Sequence, residues 1–166
     1  MSQAAEVLAT VALGSNLGNP AAQLDRALER LAQLPRTRLV ARSRWHETEP
    51  VGGPPGQPRF QNGVAQLSTA LGPRELLAEL QRLEREAGRV REDEPRHGPR
   101  ILDLDLIFHG DARVQEPGLE LPHPRAEQRL FVLEPLAEIA PDMRLPGCQR
   151  SVRERVRELR SVGAGA

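Results

Sequence analysis

The chain has 166 residues, a formal net charge of zero and one cysteine. That length fits one domain around one core, and balanced charge gives no electrostatic drive toward a polyanion or an anionic membrane. All 23 basic residues are arginine, and Cys148 stands alone, which excludes lysine Schiff bases, a lysine-bearing phosphate loop, an intrachain disulfide and a four-cysteine zinc site. No basic-then-apolar leader pattern opens the sequence. No apolar run approaches about 20 residues. The expectation is a cytoplasmic protein that spans no membrane.

In chain order, Glu6 to Leu13 is apolar and β-prone and ends at a Gly-Ser-Asn turn. Asn19 then reads as a helix N-cap with Pro20 at the first helical position, and Leu24, Leu28 and Leu31 follow at helical spacing. Arg38 to His46 alternates as a strand. Residues 49–58, EPVGGPPGQP, form a stiff loop. Gln61 to Thr69 reads as the next strand. Gly72-Pro73 opens a helix carrying Leu76, Leu77, Leu80, Leu83 and Ala87 on one stripe. Residues 88–99 are polar and Arg-rich and lead into the strand of GPRILDLDLIFHG, residues 98–110. The order is β-α-β-β-α-β, that of a ferredoxin-like split βαβ unit. Beyond it come a short hairpin over Arg113 to Leu121, a segment from Leu130 to Ile139, and a last helix. Ser151 and Glu154 form a capping box for that helix, with Val152, Val156 and Leu159 as its apolar face. The expected architecture is an α+β ferredoxin-like sandwich with a mainly antiparallel sheet and an extra C-terminal hairpin and helix. It is one domain over residues 1–160, with a disordered tail over 161–166.

The Asp-bearing strand carries the clearest chemical signal. Residues two apart on a strand share a face, so Asp103 and Asp105 point together while Leu102, Leu104 and Leu106 point into core. Such a pair suits a hard divalent cation such as Mg²⁺ whose remaining positions are filled by phosphates. Two solvated acids on a wet sheet face are the alternative. Arg89, Arg91 and Arg100 precede the pair, and guanidinium groups suit phosphate oxygens; Glu92, Asp93 and Glu94 offer them salt bridges instead. Glu84 falls inside the apolar stripe of its helix, with Gln81 at the edge. A buried acid there needs a partner, and both an ion pair with Arg100 and a ligand hydroxyl satisfy that need.

These motifs together resemble the 6-hydroxymethyl-7,8-dihydropterin pyrophosphokinases of folate biosynthesis. The likeness runs from ALGSNLGNP to EPLAEIAPD. It is densest in GRV-R followed by GPR-LDLD, then LPHPR, then R-FVL-PL-EIAP. The resemblance implies a ferredoxin-like fold and transfer of pyrophosphate from ATP to the hydroxymethyl group of the pterin. It implies two Mg²⁺ ions held between Asp103 and Asp105, with Arg89 and Arg100 on the phosphates and Arg91 nearby. Gln81, Glu84, Arg91, Arg100, Leu106, His123 and Arg129 match the nucleotide pocket. Thr48, Pro50 and Val51 match the segment edging the pterin, Asn62 the side chain that hydrogen-bonds it, and Phe60 and Phe131 the two aromatics that sandwich it. Physics supports the aromatic pair and the amide, because a flat bicyclic ring needs two apolar faces and edge donors and acceptors. Phe108, His46 and His109 are read as structural or surface residues.

The sequence departs from the family at three points. His97 stands where many members carry an aromatic, Pro95 accompanies a one-residue insertion, and Val51 replaces a leucine. The segment from Gly88 to Pro99, with Val90 as its only aliphatic side chain, is expected to move when empty and to close over bound phosphates. Two other classes compete with the enzyme reading. A nucleic-acid-binding ferredoxin-like module needs a basic face and surface aromatics, against zero net charge, one Trp, three Phe and no Tyr. A non-catalytic ligand-binding domain has little need of paired acids beside Arg100. The expected partners are ATP and the dihydropterin, with no nucleic acid and no membrane, and the expected state is a monomer.

Overall fold

The structure, a computed structural model, describes residues 5–50, 53–88, 101–146 and 149–164. Strand β1 (Val7–Ser15) is central. It pairs antiparallel with β4 (Phe60–Thr69) on one side and β5 (Asp103–His109) on the other. The outer edge of β4 is taken first by β2 (Thr37–Arg42), against its last residues, and then by β3 (His46–Thr48), against its first. With β2 and β3 counted as one edge, the expected β-α-β-β-α-β order holds, and the whole sheet is antiparallel.

Register decides what each face carries. Leu13 lies opposite Leu104, Val11 opposite Leu106 and Ala65, and Ala9 opposite Leu67. These side chains pack with Leu24, Leu28 and Leu31 of α1 (Pro20–Ala32) and with Leu76, Leu80 and Leu83 of α2 (Pro73–Glu86). Asn19 caps α1, its Oδ1 accepting the N–H of Ala22 at 3.3 Å, with Pro20 in the first turn. Glu75 accepts the N–H of Gly72 at 2.9 Å at the start of α2. The hairpin of β6 (Val114–Glu116) and β7 (Leu119–Leu121) adds Leu119 and Leu121 to this core, and Arg74 ties it to α2 through Glu116 at 2.8 Å.

The opposite face carries Val64 and Ile107. Over them lie α3 (Leu130–Ile139) and α4 (Val152–Ala164), contributing Val132, Leu133, Leu136, Val152 and Val156. The predicted capping box at the head of α4 is present: the N–H of Glu154 donates to Ser151 Oγ at 3.2 Å, and the N–H of Ser151 donates to Glu154 Oε1 at 3.5 Å. This second helical layer leaves the Gly14 end of the face to the residues of the candidate site.

Two expectations need correction, and one open segment gains a type. Arg38 to His46 is not one strand. The N–H of Ser43 donates to the carbonyl of Val64 at 2.9 Å, and the N–H of Val64 donates to Ser43 Oγ at 2.9 Å. A side-chain oxygen thus serves where a backbone carbonyl would continue the ladder, and the chain leaves the sheet at Arg44-Trp45 before rejoining as β3. The segment 130–139, left without a type, is helical. It is apolar on two sides, so no single stripe marks it, and Pro135 inside it forgoes one helical hydrogen bond. Helix α4 runs to Ala164 and so takes in most of the stretch expected as a tail; its capped start and proline-free sequence support the extra turn.

Trp45, released by that break, folds over Gly63. Its Nε1 donates to Asp25 at 2.9 Å and its ring carries the Arg42 guanidinium 4.5 Å from the centroid. A Cβ at Gly63 would stand 2.5 Å from the ring and 2.9 Å from Ser43 Oγ. The ring is tied at its edge and stacked on its face, so it cannot yield cheaply. Gly63→Ala is expected to cost roughly 1–3 kcal/mol by overpacking, lowering the melting temperature by about 2–10 °C. Thermal unfolding followed by the fluorescence of Trp45, the only tryptophan, measures this directly.

Candidate active site

The register that buries the leucines of β5 sets its acids on the other face. Asp103 lies opposite Gly14, and Asp105 opposite Ala12. Across β1, the same Gly14 lies opposite Asn62 and Ala12 opposite Val64. Asp103, Asp105, Gly14 and Asn62 therefore share one face, and all four line one cavity, closed on the α3 side by Phe131. The acids interrupt the apolar strand because they face this cavity while Leu104 and Leu106, 2 % and 5 % exposed, face α1 and α2.

Asn62 is nearly buried, and its Nδ2 donates to Thr48 Oγ1 on β3. That bond turns its Oδ1 toward Gly14: a Cβ on Gly14 would lie 2.8 Å from Oδ1 and 3.8 Å from Phe60 Cδ1. Gly14 is thus the floor on which the amide and the Phe60 ring rest. Asn16, also buried, donates from Nδ2 to the carbonyl of Pro58 at 3.0 Å and fastens the end of β1 to the loop that follows Pro50. Sequence reasoning missed Gly14 and Asn16 as site residues. Both sit in the Gly-Ser-Asn turn, which marks only a strand end until its neighbours across the sheet are known.

His123 follows β7 and is tied by its backbone to β5. Its backbone N–H donates to the carbonyl of Ile107 at 3.0 Å. Burial lowers its pKa below the ordinary histidine value, with Arg129 and Arg125 acting in the same direction; Asp103 and Glu120 oppose them. Its Nδ1 accepts the N–H of Arg125 at 3.3 Å, which leaves the proton on Nε2. The lowered pKa favours the neutral imidazole, which keeps Nε2–H as a donor. Arg129 precedes α3, and its guanidinium lies 5.4 Å from the centroid of the Phe131 ring, one face of which it covers.

Not every expected residue joins the cavity. Phe60 and Thr48 border it through Gly14 and Asn62, and Pro50 is half-buried beside them. Gln81 is half-buried on α2, on the other side of the sheet. The Leu106 side chain lies in the α1/α2 core, so only its backbone is presented toward a ligand. Glu84 is 1 % exposed and accepts the N–H of Leu104 at 2.8 Å. Val51, Arg89, Arg91 and Arg100 lie outside the described residues, as does most of the segment expected to act as a lid. His109 and His46 are structural, as expected: His109 is buried with Nε2 2.7 Å from the Leu71 carbonyl, and His46 pairs with Glu138.

Among the described residues no three His, Cys, Asp or Glu side chains converge as a complete metal cage. Two half-buried carboxylates on one strand face, beside a cavity, fit a hard cation that draws its other oxygens from water and from an anionic ligand. An amide with both a donor and an acceptor, next to an aromatic face, fits the edge and face of a flat polar ring.

These features define a ferredoxin-like α+β protein whose cavity carries an amide and an aromatic ring together with paired carboxylates. The profile of the 7,8-dihydro-6-hydroxymethylpterin-pyrophosphokinase family matches residues 10–141, and the chain belongs to that family. It is 52 % identical over 136 residues to a 2-amino-4-hydroxy-6-hydroxymethyldihydropteridine pyrophosphokinase of Pseudomonas aeruginosa, covering 82 % of each chain. To the enzyme of the same name from Haemophilus influenzae it is 46 % identical over 143 residues, covering 86 % of this chain and 88 % of the other. Among solved structures, Plasmodium falciparum HPPK-DHPS with pterin and p-hydroxybenzoate superposes with a TM-score of 0.77 at 14 % identity. That alignment covers 99 % of this chain and 45 % of the longer one, and at such identity it establishes the fold.

Proposed function

We propose that this chain transfers the β,γ-pyrophosphoryl group of ATP to the hydroxymethyl oxygen of 6-hydroxymethyl-7,8-dihydropterin, a step of folate biosynthesis. The hydroxyl oxygen attacks the β-phosphorus, the bond from that phosphorus to the α,β-bridging oxygen breaks, and AMP leaves with the bridging oxygen. The observation that carries this reading is the single cavity that brings Asp103 and Asp105 together with Asn62 and Phe131.

Each group has a task in that reaction. Asn62, held by Thr48 and seated on Gly14, offers both hydrogen-bonding senses to the pteridine edge. Phe131 offers one ring face to the pterin, with Phe60 on the other side, while Thr48, Pro50 and Val51 edge the ring. His123 as a neutral donor and Arg129 as a cation would serve the phosphates, together with Arg89, Arg91 and Arg100 of the segment before β5. Asp103 and Asp105 would hold Mg²⁺, two ions by the family pattern. Bound there, the metal supplies charge neutralisation for the phosphate oxygens. Phosphoryl transfer needs alignment and electrostatic stabilisation more than covalent help, which matches a site without a nucleophilic side chain among the described residues.

The balanced charge and the partners in the reaction support a cytoplasmic enzyme of small molecules. No described helix is long and apolar enough to cross a membrane. Among the described residues, Leu8, Val40 and Val162 are the exposed large apolar side chains, and with three such residues there is little apolar surface for a second copy to cover. Incubation with Mg-ATP and the reduced pterin is expected to yield AMP and the pterin diphosphate in equal amounts, read by chromatography. ADP as the nucleotide product would replace the pyrophosphokinase reading with that of an ordinary kinase.

A further inference from the structure

We infer that Glu84 is a positioning residue, whose carboxylate clamps the backbone of β5 between Asp103 and Asp105 and thereby sets the presentation of the acid pair. This rests on the reading of those acids as the metal-holding pair of the site.

The sheet ends at β5, and no described strand pairs with its outer side. An outward-facing N–H there has no ladder partner, and a buried one needs an acceptor. The N–H of Leu104 finds it in Glu84 Oε2 at 2.8 Å. Leu104 is the residue between the two acids, so one bond fixes the backbone from which both project. The β1 ladder along this stretch is short. The β1–β5 register breaks between Thr10 and Val11, leaving only Asp103 to Leu106 in the segment that carries the acids. A strand whose register slips by one residue exchanges its faces, so loosening this segment would turn both carboxylates away from the cavity together.

The carboxylate is matched to a backbone donor. Glu84 is 1 % exposed and lies in the last turn of α2. Burial penalises its charge, and the C-terminal end of a helix dipole repels it. What a carboxylate adds is a charge-assisted bond to a backbone N–H, roughly twice as strong as a neutral one. Such outer-layer partners of metal-holding side chains commonly govern affinity and activity without touching the reacting groups.

Two substitutions separate the clamp from a direct ligand contact. Glu84→Gln keeps an acceptor for Leu104, whereas Glu84→Leu keeps the volume and removes it. In the ligand-free protein, the Leu104 amide is expected to exchange with solvent about 10- to 100-fold faster in Glu84→Leu and to stay close to wild type in Glu84→Gln. The Mg²⁺ concentration giving half-maximal AMP formation is expected to rise roughly 10- to 100-fold in Glu84→Leu and to be largely restored in Glu84→Gln. Unchanged Leu104 exchange in both variants overturns the clamp. So does an equal loss of ATP affinity in both variants, since that marks Glu84 as a contact of the nucleotide itself. Exchange needs no turnover, so a wild-type protein that makes no AMP would count against the proposed reaction and leave the clamp to be judged on Leu104 alone.

Discussion

Asp105→Asn is expected to lower Mg²⁺-dependent AMP formation about 10³-fold, the loss of several kcal/mol of transition-state charge stabilisation, and to leave the fold in place. The side chain keeps its shape and its place opposite Ala12 on the cavity face. What it loses is the charge that makes the site attractive to a hard cation. The same substitution at Asp103 is expected to act alike, because the two acids stand on one face with one residue between them. Steady-state rates across a Mg²⁺ titration, with thermal unfolding beside them, measure both halves. Ordinary turnover in Asp105→Asn at ordinary Mg²⁺ would reduce the pair to a solvated sheet face.

The acid pair was legible in the sequence because strand periodicity is local and has a period of two. Once Leu104 and Leu106 are core, Asp103 and Asp105 have no other direction to take. The sheet order followed from the element order for the same reason: hairpins and helical crossovers leave few topologies. Where the reading failed, the deciding contact came from far along the chain. Nothing between Arg38 and His46 says that Ser43 Oγ will take the N–H of Val64 and end the strand. Leu130 to Ile139 hides its helix because two neighbours, the sheet and α4, bury it from two sides. Glu84 was correctly placed on the buried side of α2, yet periodicity could not say that its carboxylate takes a backbone N–H of β5. Asn62 and Phe131 come from β4 and α3, and only the folded sheet brings them to one cavity; the resemblance named them before any local pattern could.

Gly14→Ala is the second substitution expected to have a large effect, and it acts through a neighbour. The added Cβ would stand 2.8 Å from Asn62 Oδ1, closer than real Cβ contacts come. Asn62 can escape by turning about its own χ angles, so the fold should survive. It cannot turn and still keep both its bond to Thr48 and the direction of its amide into the cavity. The pterin then loses the partner of its polar edge. A buried hydrogen bond left unmade costs roughly 1–3 kcal/mol, so the Michaelis constant for the pterin should rise about 10- to 100-fold. ATP, proposed to bind through the acid pair and not through Asn62, should bind about as well as before. Asn62→Ala is expected to produce a similar loss by removing the amide outright. Because both substitutions remove one and the same interaction, their losses should not add: Gly14→Ala with Asn62→Ala should bind the pterin about as well as Asn62→Ala alone. Pterin titration of the four proteins decides the point. Fully additive losses would mean that Gly14 shapes the cavity by its own contact with the ring, with Asn62 independent of it.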